Sequence, residues 1–177
     1  MHESMKDLPI GELLAYYARR RAGFAERAKG AGEEEIREFE RLVGRPLPED
    51  YLVFLRAAGR DCGDMFKGES KAYASDGSFT RHPHQYDFSL ETAVKERRRL
   101  KAKVAKNPRL AAKPCYNPAF VMIGTQSHCQ DCGSYFLDLR APGTSPVVNI
   151  EDLHELRVVA PSFRDFLFRF AFAGERF

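Results

Sequence analysis

The stretch GAGEEEIREFERLVGRPLPEDYLVFLRAAG, residues 30–59, decides the fold. Gly30 and Gly32 interrupt any preceding helix. Glu33, Glu34 and Glu35 then occupy a first helical turn, where carboxylates oppose the positive end of the helix dipole. Ile36, Phe39, Leu42 and Val43 recur at helical spacing and form a buried stripe. Gly44 ends this helix and Pro46 prevents its continuation. A second helix is predicted to begin at Pro48, since proline is favoured in a first turn whose N–H groups have no partner anyway. It carries Glu49 and Asp50 at its positive end, turns Tyr51, Leu52, Phe54 and Leu55 inward, and closes at Gly59. The short connection Gly44–Leu47 predicts an antiparallel helical pair.

Upstream, one helix is predicted from Ile10 to Ala28. Leu13, Leu14, Tyr17, Ala18 and Phe24 give it an apolar stripe, while Arg19, Arg20, Arg21, Arg27 and Lys29 make the other face basic. Downstream, residues 60–88 mix turn formers with scattered aromatics, and short strands are expected near Met65–Phe66 and Lys71–Tyr73. Residues 89–106 read as a helix with a narrow stripe of Leu90, Ala93, Val94, Leu100 and Val104, stopped by Asn107–Pro108. Ala119–Ile123 is continuously apolar and reads as a central strand. Ser134–Leu139 alternates, and Val147–Ile150 and Leu156–Val159 follow as shorter strands, with a turn at Pro142–Gly143. A last helix starts near Ser162, with Asp165 placed as in a capping box and Phe163, Phe166, Leu167 and Phe170 on its inner face. The order predicts an α+β fold: N-terminal helices, a central mostly antiparallel sheet of about four to six strands, and a C-terminal helix. At 177 residues and 44% apolar content, the expectation is one domain over 1–177, with 1–30 as a helical extension.

No apolar run is long enough to cross a membrane. MHESMKDLPI lacks a basic segment followed by an apolar one, so the expected compartment is the cytoplasm. Formal charge is +3, from 28 basic and 25 acidic residues, too mild to imply nucleic acid. Its distribution is uneven. Residues 33–50 carry seven acids against three arginines, and residues 91–113 carry nine bases against Glu91 and Glu96. Separate acidic and basic faces would suit electrostatically guided recognition, although solvated helix faces explain the same pattern.

The four cysteines, Cys62, Cys115, Cys129 and Cys132, are expected to be thiols or metal ligands, not disulfides. Cys129 and Cys132 stand three positions apart and could grip one zinc ion, with His128, Cys115 or Cys62 completing the shell. No second such pair is present, and the pair precedes a strand, where a low-pKa redox couple is not expected. Ordinary reduced thiols are the preferred reading, so no cofactor is expected beyond that candidate structural zinc. His82-Pro83-His84 reads as a surface loop. Ser127 and His128 adjoin Cys129, but neighbours on a loop rarely form a base–nucleophile pair. The basic helix 95–106 lacks the interleaved aromatics that nucleic-acid binding favours. No catalytic constellation stands out, and an enzyme is not expected.

Residues 31–59 resemble the N-terminal signature of the SUKH superfamily: an acid-rich helix with Phe-Glu near its middle (Phe39, Glu40), a Leu-Pro loop (Leu47, Pro48), and a helix with Tyr51 and Phe54-Leu55. Val121–Gly124, the loop Thr125–Cys132 and Gly133–Leu139 resemble its second block, and the aromatic helix 161–172 its closing one. The resemblance implies a non-catalytic binding protein. It is expected to be an immunity protein that neutralises a cognate bacterial toxin. The alternative is a regulatory scaffold or a zinc-stabilised nucleic-acid binder. Nucleic acid and membrane are not the expected partners. Partner contact is expected on loops 60–70, 76–88 and 125–132, through Asp61, Asp64, His82, His84, His128 and Asp131, together with Arg98.

Overall fold

A computed structural model describes residues 5, 7–73, 79–126, 134–140, 145–151 and 155–172. Four helices come first: α1 (Ile10–Arg20), α2 (Ala22–Arg27), α3 (Glu33–Val43) and α4 (Glu49–Ala58). A β-ribbon of β1 (Lys67–Tyr73) and β2 (Phe79–Asp87) leads to α5 (Leu90–Lys106) and two 3-10 turns, Pro108–Ala112 and Pro114–Tyr116. Then come β3 (Phe120–Gln126), β4 (Ser134–Asp138), β5 (Val147–Glu151), β6 (Glu155–Ala160) and α6 (Phe163–Leu167), which continues as a π-helical turn over Phe168–Phe172. The strands pair antiparallel in chain order from β1 to β6. The fold is α+β, with helices at both ends of the chain and an antiparallel sheet between them.

The helical pair forms as its residues dictate. Glu35 reaches back to accept the Gly32 N–H at 2.6 Å, half of a capping box. Gly44 sits at φ +79° and terminates α3, a conformation that disfavours any side chain. Glu40 Oε1 accepts the Leu47 N–H at 2.9 Å and braces the turn. Arg56, near the end of α4, bonds Glu33 at the start of α3 at 2.8 Å, as an antiparallel arrangement requires. Pro48 is the residue before α4, and not its first helical one.

Alternation along β3 and β4 divides the core in two. Val121, Ile123, Tyr135 and Leu137 face a large cluster with α1, α3, α4 and α6. Phe120, Met122 and Phe136 face a smaller one with Leu100, Cys115, Tyr116, Val148 and Ile150. The large cluster is aromatic at its centre: Phe66 stacks on Phe88 at 4.0 Å, and Tyr135, Phe166 and Phe170 surround them. Tyr51 is fully buried against Phe54 and Phe163, and its hydroxyl has no hydrogen-bond partner. Burial therefore pushes its ionisation upward. An orphaned buried hydroxyl costs about 1–3 kcal/mol of desolvation. Tyr51→Phe is accordingly expected to leave the urea midpoint unchanged or raise it, and a clear fall would mean that the hydroxyl has a partner.

Three expectations are corrected. The N-terminal helix is two helices, because Arg21 is extended (φ −128°, ψ 92°) and turns α2 away from α1. Met65–Phe66 is a buried turn, not a strand, and the strands begin one residue later. Residues 79–87 form a strand where a loop was expected, so His82 and His84 lie in β2 opposite Ser70 and Gly68. The sequences of β1 and β2 lack apolar alternation, and cross-strand hydrogen bonds supply what periodicity does not. Among the described residues, β2 meets β3 at Tyr86 and Asp87.

Candidate functional site

Folding undoes part of the charge segregation seen along the sequence. The acidic helix α3 lies beside the basic helix α5, and Arg98 bonds Glu38 across the seam at 2.6 Å. Lys101 donates to the Leu42 carbonyl at 3.3 Å. Arg97, buried at 6% exposure, donates to the carbonyls of Val43 and Pro118 at 3.3 and 3.1 Å. No carboxylate faces this guanidinium, and burial lowers its pKa. It clamps the negative end of α3 to the turn before β3. The basic residues of α5 that were expected to form a separate face are thus partly consumed in holding the fold together.

Between α3 and α5 runs a groove of about 670 Å³. Leu90 and Val94 form its apolar floor, Glu35 and Glu38 one wall, and Glu91, Lys95 and Arg98 the other. Arg60 closes one end and bonds Glu35 through both Nε and Nη2, at 3.0 and 2.7 Å. The Arg60 bonds, reinforced by the Gly32 N–H, hold the Glu35 carboxyl below its ordinary pKa. This carboxylate is a fixed anion, with none of the raised pKa a general acid requires. Past Arg60 the groove meets a second cleft of about 280 Å³ lined by Asp61, Cys62, Phe66, Tyr86, Asp87 and Ser89. Asp61 there accepts the Gly63 N–H at 2.7 Å, and Asp87 accepts from Ser89 and Thr92 at the start of α5. Charged side chains, two acid–base pairs among them, wall a small apolar strip, which is how a protein contact surface is commonly built.

Of the residues expected to contact a partner, Arg98 lines the groove and Asp61 its extension. Asp64 stands apart beside Arg27 on α2, 3.9 Å away, with Oδ1 buried and unpartnered. His82 and His84 lie in β2, on the ribbon. His128, Asp131, Cys129 and Cys132 lie outside the described residues, as does the Pro142–Gly143 turn. Cys62 and Cys115 pack in the two clusters on opposite faces of the sheet, so one ion cannot take both, as one form of the suggested ligand set would need. Among the described residues, no three His, Cys, Asp or Glu side chains are grouped to hold a metal. Glu35, Arg60 and Glu91 were not singled out from the sequence as contact residues. Arg60 meets Glu35 across 25 residues of chain, a pairing no local pattern announces.

Burial pushes the Cys62 thiol up to about 11, against bonding to the Phe88 backbone that lowers it. A thiol protonated this firmly makes a poor nucleophile. Iodoacetamide at pH 8 is expected to modify Cys62 at least about tenfold more slowly than a free cysteine, read by peptide mass spectrometry. Since the folded pKa exceeds the unfolded one, the associated stability is intact below the unfolded thiol's pKa near 9 and is lost as pH rises toward 11.

No helix among the described residues is long and apolar enough to span a membrane. No curated protein matches the chain. A family model, described as SMI1 / KNR4 family (SUKH-1), matches residues 30–169. The match takes in α3 through α6, the helical pair, the sheet and the groove, and leaves α1 and α2 before it. The chain belongs to the SMI1 / KNR4 (SUKH-1) family.

Proposed function

We propose that this protein is a non-catalytic, cytoplasmic immunity protein that binds a cognate bacterial toxin and blocks it by occupying its surface. The α3–α5 groove is the observation that carries the reading. Glu35 with Arg60 and Glu38 with Arg98 are tied into pairs that shape a contact surface, and the floor offers Leu90 and Val94 to a partner side chain. Family membership supports a binding role in general. The thiols point the same way, since Cys62 and Cys115 are both held toward the protonated form by burial. The reading needs no cofactor and treats the chain as one domain with α1 and α2 as an extension. Cys129 and Cys132 remain the candidate ligands of a structural zinc, which metal analysis of the purified protein decides.

Co-expression with the toxin-like reading frame adjoining its gene tests the proposal. Restored growth and a co-eluting complex of the two chains are expected. Absence of such a frame, or growth arrest that persists with no complex formed, would overturn it.

A further inference from the structure

Beyond the groove, the second half of α5 carries charge that the fold leaves uncompensated. From Arg97 to Lys113 the chain has eight basic residues and no acid. Arg97 is buried on backbone carbonyls, Arg98 is paired with Glu38, Arg99 with Glu96 at 2.5 Å, and Lys101 bonds Leu42. Lys103, Lys106 and Arg109 are exposed and Lys113 is half-buried, and none of the four has an ion-pair partner among the described residues. Around α3 and α4 the pattern is the reverse. Arg37, Arg41, Arg56 and Arg60 each hold a glutamate of α3 or α4.

The bases also converge in space. Burial dominates the environment of the Cys115 thiol, but Lys113, Arg99 and Lys103 all lie close enough to act on it. Arg99 and Lys103 are four residues apart on one helix face and Lys103 and Lys106 three, spacings at which like charges repel. The helix dipole offsets part of this in the last turn. Arg109 and Lys113 lie past the end of α5, where that effect fades. Between the bases, Ala102, Ala105, Ala111 and Ala112 are exposed. Short side chains there let a broad surface approach the charges closely.

We propose that this ridge, Lys103, Lys106, Arg109 and Lys113, docks an acidic surface of a protein partner. The inference rests on the chain being a protein-binding module and adds the face and the partner's chemistry. Protein is favoured over nucleic acid because residues 97–113 contain no aromatic side chain on which a base could stack. Complementary charge of this kind speeds encounter and fixes orientation.

The test uses the full chain, an oligo-glutamate peptide and an oligonucleotide of equal charge, titrated at low and at physiological salt. The ridge variant is Lys103→Glu with Lys106→Glu and Arg109→Glu. Its control, Arg19→Glu with Arg20→Glu and Arg21→Glu, changes net charge equally at the end of α1. The peptide is expected to bind more tightly than the oligonucleotide, with the ridge variant losing at least about tenfold and the control no more than about twofold. A second ridge variant with glutamine at the same three positions, expected to lose binding in the same direction, replaces the first should that one not fold. Tighter binding of the oligonucleotide, equal losses in ridge and control variants, or no peptide binding would overturn the inference. Growth rescue without peptide binding would overturn the ridge and leave the immunity reading. Peptide binding without rescue would do the opposite.

Discussion

Gly30→Ala is expected to destabilise the protein by about 3 kcal/mol or more, a large share of a typical 5–15 kcal/mol total. A methyl group at this position would overlap the backbone carbonyl oxygen of Arg56. Backbone cannot rotate aside as a side chain can, so the segment must pull away from the end of α4. Four hydrogen bonds seal that seam: Ala31 N–H to the Leu55 carbonyl at 2.8 Å, Lys29 N–H to that of Asp61 at 2.9 Å, and the Arg60 and Asp61 N–H groups to that of Lys29 at 2.8 and 3.1 Å. Each lost bond leaves partly buried groups unsatisfied, at about 1–3 kcal/mol. Gly44→Ala is the control. It meets no atom within 4 Å but keeps φ at +79°, so its cost should be the dihedral penalty alone, about 1–2 kcal/mol. Urea denaturation of both variants reads the difference. Equal losses would refute the close-approach account.

Phe88→Ala should cost about 3–5 kcal/mol, because a fully buried ring is removed from the centre of the aromatic cluster. The same ring makes Gly124 obligatory. A Cβ on Gly124 would lie within the ring's van der Waals surface, 2.7 Å from Cζ and closer still to Cε1 and Cδ1. Gly124→Ala alone is therefore expected to cost about 2–3 kcal/mol by overpacking. In the Phe88→Ala background the clash is gone and the added methyl begins to refill the void, so the second loss should fall below about 1 kcal/mol. Such a coupling identifies Ile-Gly at 123–124 as a packing motif of β3. Additive losses would show that the strand needs this glycine for some other reason, such as the register shift between Met122 and Gly124.

The residues that carry the family resemblance explain why it was readable. Phe39, Tyr51, Phe54 and Leu55 are fully buried, Glu40 braces the Gly44–Leu47 turn, and Gly124 makes room for Phe88. These are scaffold positions, determined by steric and hydrogen-bonding needs local to the helical pair or strand. The candidate contact surface has no such local logic. Arg60 with Glu35, and Arg98 with Glu38, become partners because α3, α4 and α5 are stacked, and their charges read separately looked like opposed faces. Asp64 looked available for a partner and instead lies against Arg27. Arg97 looked like one more solvated base and is buried, since its position on α5 coincides with the exposed carbonyls at the end of α3.

By itself the sequence determined the α3–α4 pair, α5, the four strands Phe120–Gln126, Ser134–Asp138, Val147–Glu151 and Glu155–Ala160, and the aromatic closing helix. In each, hydrophobic period, caps and breakers act within a few residues and agree with the final packing. Tertiary structure alone decided the break at Arg21, the pairing of β1 with β2 and the ion pair between α3 and α5. Those features depend on which elements meet across tens of residues. The energy of a cross-strand bond or an inter-helix ion pair resides in the meeting, and neither residue's local pattern contains it.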